Sequence, residues 1–149
     1  MQERRPSGPR LAGKVALVPG AGSSGPGVGV GKGAAILFAR EGAKVLLGDS
    51  VRQRAEETLA IIHEEGGEAS VFEADITKAS DCRRLAEAAV ERYGGLDILF
   101  NNVGILGEGN VIDLKEEVWD RVMEVNLKSM FLTSKYVVPK MIESGGGSI

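Results

Sequence analysis

Lys14-Val-Ala-Leu-Val18 runs through Pro19-Gly20 into Ala21-Gly22-Ser-Ser-Gly25-Pro-Gly-Val-Gly29-Val-Gly31-Lys32. A short apolar run is stopped by Pro and Gly, a glycine-rich segment follows, and helical spacing then continues from Lys32 to Glu41, with Gly42 as a C-terminal cap. This is a strand-loop-helix unit. A helix N-terminus presents unpaired N–H groups and partial positive charge, and glycines let a phosphate approach the backbone, so such a loop suits a dinucleotide. Two frames compete. Gly20-Ala-Gly22-Ser-Ser-Gly25 fits GxGxxG but is followed by Pro26-Gly27, whereas Gly25-Pro-Gly-Val-Gly29-Val-Gly31 leads straight into the helix. A composite reading has Gly20 turning out of the strand, an enlarged loop after it, and Gly29 and Gly31 against the phosphates. A generic flexible loop would show the same glycines.

The same alternation continues outward. Lys44 to Gly48 reads as a second strand, Val51 to Glu65 as an amphipathic helix stopped by Gly66-Gly67, and Ala69 to Glu73 as a third strand. Ala79 to Tyr93 reads as a helix stopped by Gly94-Gly95, and Leu96 to Phe100 as a fourth strand. After a loop rich in Gly and Asn, a long helical region runs from Lys115 to about Glu143, divided or kinked, with Pro139 near its end. Strands separated by helices imply parallel pairing: an α/β, doubly wound parallel sheet of Rossmann type, strands 1–4 with intervening helices.

Asp49 closes the second strand eighteen positions after Gly31, near the spacing expected of a carboxylate that accepts hydrogen bonds from the adenosine ribose. A carboxylate there repels the 2′-phosphate of NADP, and a charge-assisted hydrogen bond to a hydroxyl is worth about 1.5–3 kcal/mol, so NAD is the expected cofactor. Ser50 and Val51 bring no cation, while Lys32 and Arg52 could soften the discrimination. A solvated aspartate capping the next helix is the competing reading.

From Leu11 to Ile149 the chain resembles the short-chain dehydrogenases/reductases. Leu11-Ala-Gly-Lys-Val-Ala-Leu-Val18 is similar to that family's first strand, and Phe38-Ala-Arg-Glu-Gly-Ala-Lys-Val45 to its helix-to-strand junction. The resemblance implies that Asp75 and Ile76 contact adenine, and that Asn101-Asn102-Val103-Gly104, similar to the family's NNAG, stabilises the sheet and borders the ribose. Val125-Asn126, within Trp119-Asp-Arg-Val-Met-Glu-Val-Asn-Leu127, resembles the segment holding the asparagine of the catalytic tetrad. The cofactor contacts so implied are Gly20, Ser23, Ser24, Gly25, Gly29, Val30, Gly31, Asp49, Asp75, Ile76, Asn102, Val103, Gly104 and Val125, with Asn126 as the catalytic residue. The implied activity is hydride transfer between the nicotinamide of NAD(H) and a secondary alcohol or ketone, in a protein that forms dimers or tetramers. A non-catalytic NAD(H)-binding or interaction module is the alternative.

Two departures stand out. Pro19 replaces the family's Thr, and eight residues separate Gly20 from Gly29 where three are usual. Loops enlarged around a Ser-Ser-Gly-Pro-Gly-like core occur in one branch of the family. Pro19 removes a backbone donor and a hydroxyl, so weaker cofactor binding is expected. Secondly, the family's Ser follows a fifth strand and its Tyr-x-x-x-Lys comes later, beyond Ile149. The expectation is therefore a shortened chain, inactive by itself, with its fourth strand left as an unpaired apolar edge prone to association. Tyr136-Val-Val-Pro-Lys140 matches the spacing but precedes the fifth strand, and Tyr136 reads as a packing residue.

Composition narrows the classes further. At 149 residues, 43% hydrophobic and 26% charged, the chain can fill one domain with a real core. A net charge of −3 gives no basic stripe, so nucleic acid is not an expected partner. Arg4, Arg5, Arg10 and Lys14 make the start basic, but no apolar region follows; residues 1–10 read as a flexible start and 11–149 as the NAD-binding domain. The apolar runs are short for a bilayer, so no membrane role and a cytoplasmic location are expected. The one cysteine, Cys82, reads as structural, and His63 has no companions at ligand spacing, so no metal is expected. Trp119 and Met130 read as core or interface.

Overall fold

The computed structural model describes residues 8–25 and 27–149; Arg4 and Arg5, within 1–7, and Pro26 lie outside the described residues. Four parallel strands, β1 (Val15–Pro19), β2 (Lys44–Asp49), β3 (Ala69–Glu73) and β4 (Ile98–Leu99), form one sheet in the order β3-β2-β1-β4. Helices α1 (Val30–Arg40), α2 (Arg52–Glu64) and α3 (Ala79–Tyr93) connect them. Beyond β4, α4 (Glu116–Met123), a π-helical turn (Glu124–Lys128) and α5 (Ser129–Glu143) follow without a break.

The period-2 alternation of β1 explains why it is apolar throughout. Val15 and Leu17 point to one face, where Leu46 joins Cys82, Leu85 and Ala89 of α3 and Leu132, Val137 and Met141 of α5. Ala16 and Val18 point to the other, against Ala35, Ile36 and Ala39 of α1 and Ala55 and Ile62 of α2. Both sides of the sheet are covered, so the central strands β1 and β2 are buried runs, while the edge strand β3 alternates buried and part-exposed residues.

Several boundaries differ from the sequence reading. The first helix opens at Val30, two residues before Lys32, and Pro19 closes β1 opposite Gly48. Only Ile98 and Leu99 are regular in β4, although Asp97 and Phe100 still donate to the carbonyls of Val15 and Leu17. The long helix is divided at the π-helical turn, not at Pro139, which α5 carries inside it. The expected unpaired edge of β4 is also corrected. Ser148 pairs in parallel with Ile98, the Leu99 N–H donating to its carbonyl at 2.9 Å and its own N–H to that of Asp97 at 2.8 Å. Polar bonds to the last residues thus cover part of the edge.

Asp97 joins the start of β1 to the loop before β4. Its carboxylate accepts from the Val15 N–H at 2.9 Å and from Lys14 Nζ at 3.0 Å. Burial pushes the carboxyl up, but these bonds outweigh it and hold the group below the usual carboxylate value. A depressed folded pKa contributes stability above the unfolded value that disappears as pH falls through the folded one. Asp97→Asn should therefore lower the melting temperature at pH 7, and the gap to wild type should close below about pH 4, as thermal melts at both values would register.

Candidate functional site

The order of strands reverses between β1 and β4, and open α/β sheets bind ligands outside the carboxyl ends of strands at such a switch point. A cleft of about 360 Å³ lies there. Gly20, at φ 71°, leaves β1 in the left-handed region, where a Cβ would also stand 2.7 Å from Val103 Cγ2. Gly31 passes so close to the strand end that a Cβ would sit 2.0 Å from the Gly20 carbonyl oxygen and 2.6 Å from Asn102 Nδ2. Gly29 caps α1 with an extended backbone and no side-chain bond, so the first N–H groups of the helix remain open beside the cleft.

Of the cofactor residues named from sequence, the structure brings Gly20, Ser23, Ser24, Gly29, Val30, Gly31, Asp49, Asp75, Ile76, Asn102, Val103, Gly104 and Val125 onto the walls of this one cleft. Gly25 stands apart: it is exposed, does not line the cleft, and its carbonyl accepts from the Ser23 hydroxyl at 3.0 Å. Lys32 and Arg52 lie off the walls as well, paired with Glu57 at 4.0 Å and Glu56 at 2.7 Å. The cations that do line the cleft are Arg54 and Arg121, neither of which the sequence reading singled out.

Asp49 works on the loop and on the next helix at once. Its Oδ2 accepts from the Gly22 N–H at 3.0 Å and its Oδ1 from the Val51 N–H at 2.9 Å. A carboxylate has about four acceptor sites, so two bonds leave room for a diol. Gly22, absent from the sequence-derived set, is needed here because a Cβ would lie 2.4 Å from Arg54 Cβ and 2.8 Å from Asp49 Oδ2. The GxGxxG frame contained that glycine, and it was the available signal.

On the far wall, Asp75 Oδ1 accepts from the Thr77 N–H at 3.0 Å and hydroxyl at 2.7 Å. The Thr77 hydroxyl first, then the Thr77 N–H and Lys78, hold the Asp75 carboxyl below its ordinary value against the opposing effect of burial. Its charge is thus kept, and Asp75 and Ile76 both line the cleft. The Ile76 carbonyl accepts from Cys82 Sγ at 3.2 Å, and burial above all pushes that thiol up to about 11, so Cys82 is a packed and unreactive group.

The end of β4 is tied down differently. Asn101 Oδ1 accepts from the Thr133 hydroxyl at 2.6 Å, and its Nδ2 donates to Ser134 Oγ at 3.3 Å, fixing the strand end to α5. Asn126 lies in the π-helical turn, just beyond the lining residue Val125. Its Oδ1 accepts from the Ile105 N–H at 2.8 Å and its Nδ2 donates to the Ile105 carbonyl at 2.9 Å. The turn itself frees the Val125 carbonyl, which the buried Ser129 hydroxyl satisfies. Tyr136 packs against the α3–α5 face of the core, and Lys140 pairs with Glu143 at 3.1 Å; neither lines the cleft. Trp119 and Met130 are exposed, not core, and Met123, Leu127, Met130 and Phe131 line an outward groove on the same long helix.

The family model for short chain dehydrogenase matches residues 14–149, the whole span from β1 to the last residue. The chain belongs to the short-chain dehydrogenase family. Among curated proteins, the chain is 44% identical over 137 residues to an uncharacterized oxidoreductase of Thermotoga maritima, with 92% of this chain and 52% of the relative covered. It is 39% identical over 137 residues to a cyclohexanol dehydrogenase of Acinetobacter sp. (strain SE19), covering 91% of this chain and 53% of that protein. A crystal structure from Burkholderia xenovorans assigned to the short-chain dehydrogenases/reductases superposes with a TM-score of 0.89 at 43% identity, over 93% of this chain and 55% of that one. The chain thus spans about half the length of the relatives it matches. Among the described residues, no helix is long and apolar enough to cross a membrane.

Proposed function

We propose that this chain carries the NAD(H)-binding part of an oxidoreductase that moves a hydride between the nicotinamide and a secondary alcohol or ketone. The observation that carries the reading is one cleft joining the open N-terminus of α1, the Cβ-free approach of Gly31 and the Asp49 carboxylate. Those groups fit a dinucleotide: N–H donors for the pyrophosphate, room for its backbone approach, and an acceptor for the ribose diol. NAD(H) supplies the hydride chemistry itself. Asp75, Ile76 and Val103 are assigned to the adenosine side, and Asn126 orders Ile105 and the π-helical turn on the other.

The 149 residues are expected to bind without turnover, since among the described residues no tyrosine or lysine lines this cleft to take the part that the resemblance gives to Tyr-x-x-x-Lys. Cyclohexanol, the alcohol named for one relative, falls within the proposed substrate class. The exposed apolar face of α4 and α5 supports a homo-dimer or homo-tetramer for the whole protein, and the cytoplasm is its proposed compartment.

NADH fluorescence titration of the chain, with NADPH as competitor, tests the cofactor assignment. Binding of NADH with at least about tenfold preference is expected from one charge-assisted bond to the ribose. Equal or tighter NADPH binding would overturn the NAD assignment, and binding of neither would overturn the dinucleotide reading.

A further inference from the structure

Pro19 leaves the start of the glycine-rich loop without the donor and hydroxyl that would tie it down from β1, yet Ala21, the next residue but one, is fully buried. Its backbone is satisfied from the opposite side. The Ala21 N–H donates to the Gly48 carbonyl at 3.0 Å, and its carbonyl accepts from the Thr58 hydroxyl at 2.7 Å. Thr58 lies on α2, has no exposed surface, and is one of three buried polar side chains among the described residues. Its hydroxyl bond spans 37 positions of sequence. The Gly22 N–H, one residue on, reaches Asp49 Oδ2 from the same direction. Three bonds from β2 and α2 therefore fix Ala21 and Gly22 before the loop opens toward Ser23 and Ser24.

We propose that Thr58 is a positioning residue, which acts through the Ala21 carbonyl to hold the enlarged loop in the geometry that the cofactor meets. This rests on the proposed dinucleotide site. A buried carbonyl left without its donor is costly, so the loop without this hydroxyl would move outward toward water. The hydroxyl touches no cofactor atom in this account, and its effect passes through the backbone of Ala21 and Gly22.

Amide hydrogen exchange of the full 149-residue chain tests this without any cofactor. In wild type, the Ala21 and Gly22 amides should exchange as slowly as those of β1, far more slowly than Gly27 and Val28. Thr58→Val, which keeps the shape and loses the hydroxyl, should speed exchange at Ala21 and Gly22 by about tenfold or more while the rest of β2 and α2 stays unchanged. Thr58→Ser should restore the slow pattern. NADH affinity should fall in the valine variant and recover in the serine one. Fast wild-type exchange at Ala21 and Gly22 overturns the proposal, and that arm decides alone should the valine variant not fold. So does a valine variant with an unchanged loop, or one with exchange raised evenly through the chain. If the exchange pattern holds while wild type fails to bind NADH, the tie stands and the dinucleotide reading falls.

Discussion

Gly31→Ala is expected to abolish measurable NADH binding and to destabilise the fold by about 1–3 kcal/mol, the range for a forced overpacking. The methyl would be placed 2.0 Å from a backbone oxygen, that of Gly20, and 2.6 Å from Asn102 Nδ2. The Asn102 amide can swing aside, but the Gly20 oxygen is backbone and cannot. Relief requires α1 to back away from the end of β1, and that motion withdraws the helix N–H groups from the place where phosphates would sit. Gly33→Ala, two residues on, provides the internal contrast. Its methyl would meet only Val28 Cγ1, at 3.4 Å, and replacing a helix-interior glycine by alanine gains about 0.5–1 kcal/mol. Melting curves and NADH titrations of the two variants should therefore move in opposite directions for stability, with binding lost in the first alone. Loss of binding in both would mean that the helix tolerates no change at all and that the close approach of Gly31 is not special.

Asp49→Ala should do more than weaken NADH. It removes the acceptor proposed for the ribose and also frees the N–H groups of Gly22 and Val51. Each lost charge-assisted bond is worth about 1.5–3 kcal/mol, so NADH affinity should drop by tenfold or more. Arg54 remains on the same wall, with the repelling carboxylate gone, and a guanidinium is well suited to a phosphate. The preference between NADH and NADPH should therefore reverse in Asp49→Ala. Adding Arg54→Ala should erase the gain for NADPH. Competitive titration of wild type, single and double variants against both nucleotides checks this, and an unchanged preference in Asp49→Ala would remove Asp49 from the ribose site.

The fold was legible because the sheet is buried on both faces. Val15 to Val18 must be apolar without interruption when α1 and α2 cover one side and α3 and α5 the other, and the glycines after each helix mark where the chain turns back. The walls of the candidate site were legible where a motif carries the geometry, as at Gly20, Gly31, Asp49 and Asn102. It was illegible where long-range bonds to the backbone decide. Gly22 is fixed by the proximity of Arg54, Thr58 by a carbonyl 37 residues away, and the π-helical turn by a hydroxyl one helical turn on; none of these leaves a period in the sequence. Gly25, exposed and off the cleft walls, shows that membership of a glycine pattern does not say which glycine faces the cleft. The pairing of Ser148 with Ile98 escaped for the same reason, because two polar backbone bonds carry it rather than an apolar run.

The central claim is that the switch point between β1 and β4 holds NAD(H) with its pyrophosphate at α1 and its adenosine ribose at Asp49. Mapping the backbone amide shifts of the isotope-labelled chain during NADH titration tests it most directly. The account predicts saturable shifts confined to Gly20–Gly31, Asp49–Val51, Asp75–Thr77 and Asn102–Ile105. Saturable shifts centred on the outward groove of α4 and α5, or no shifts at millimolar NADH, would contradict it.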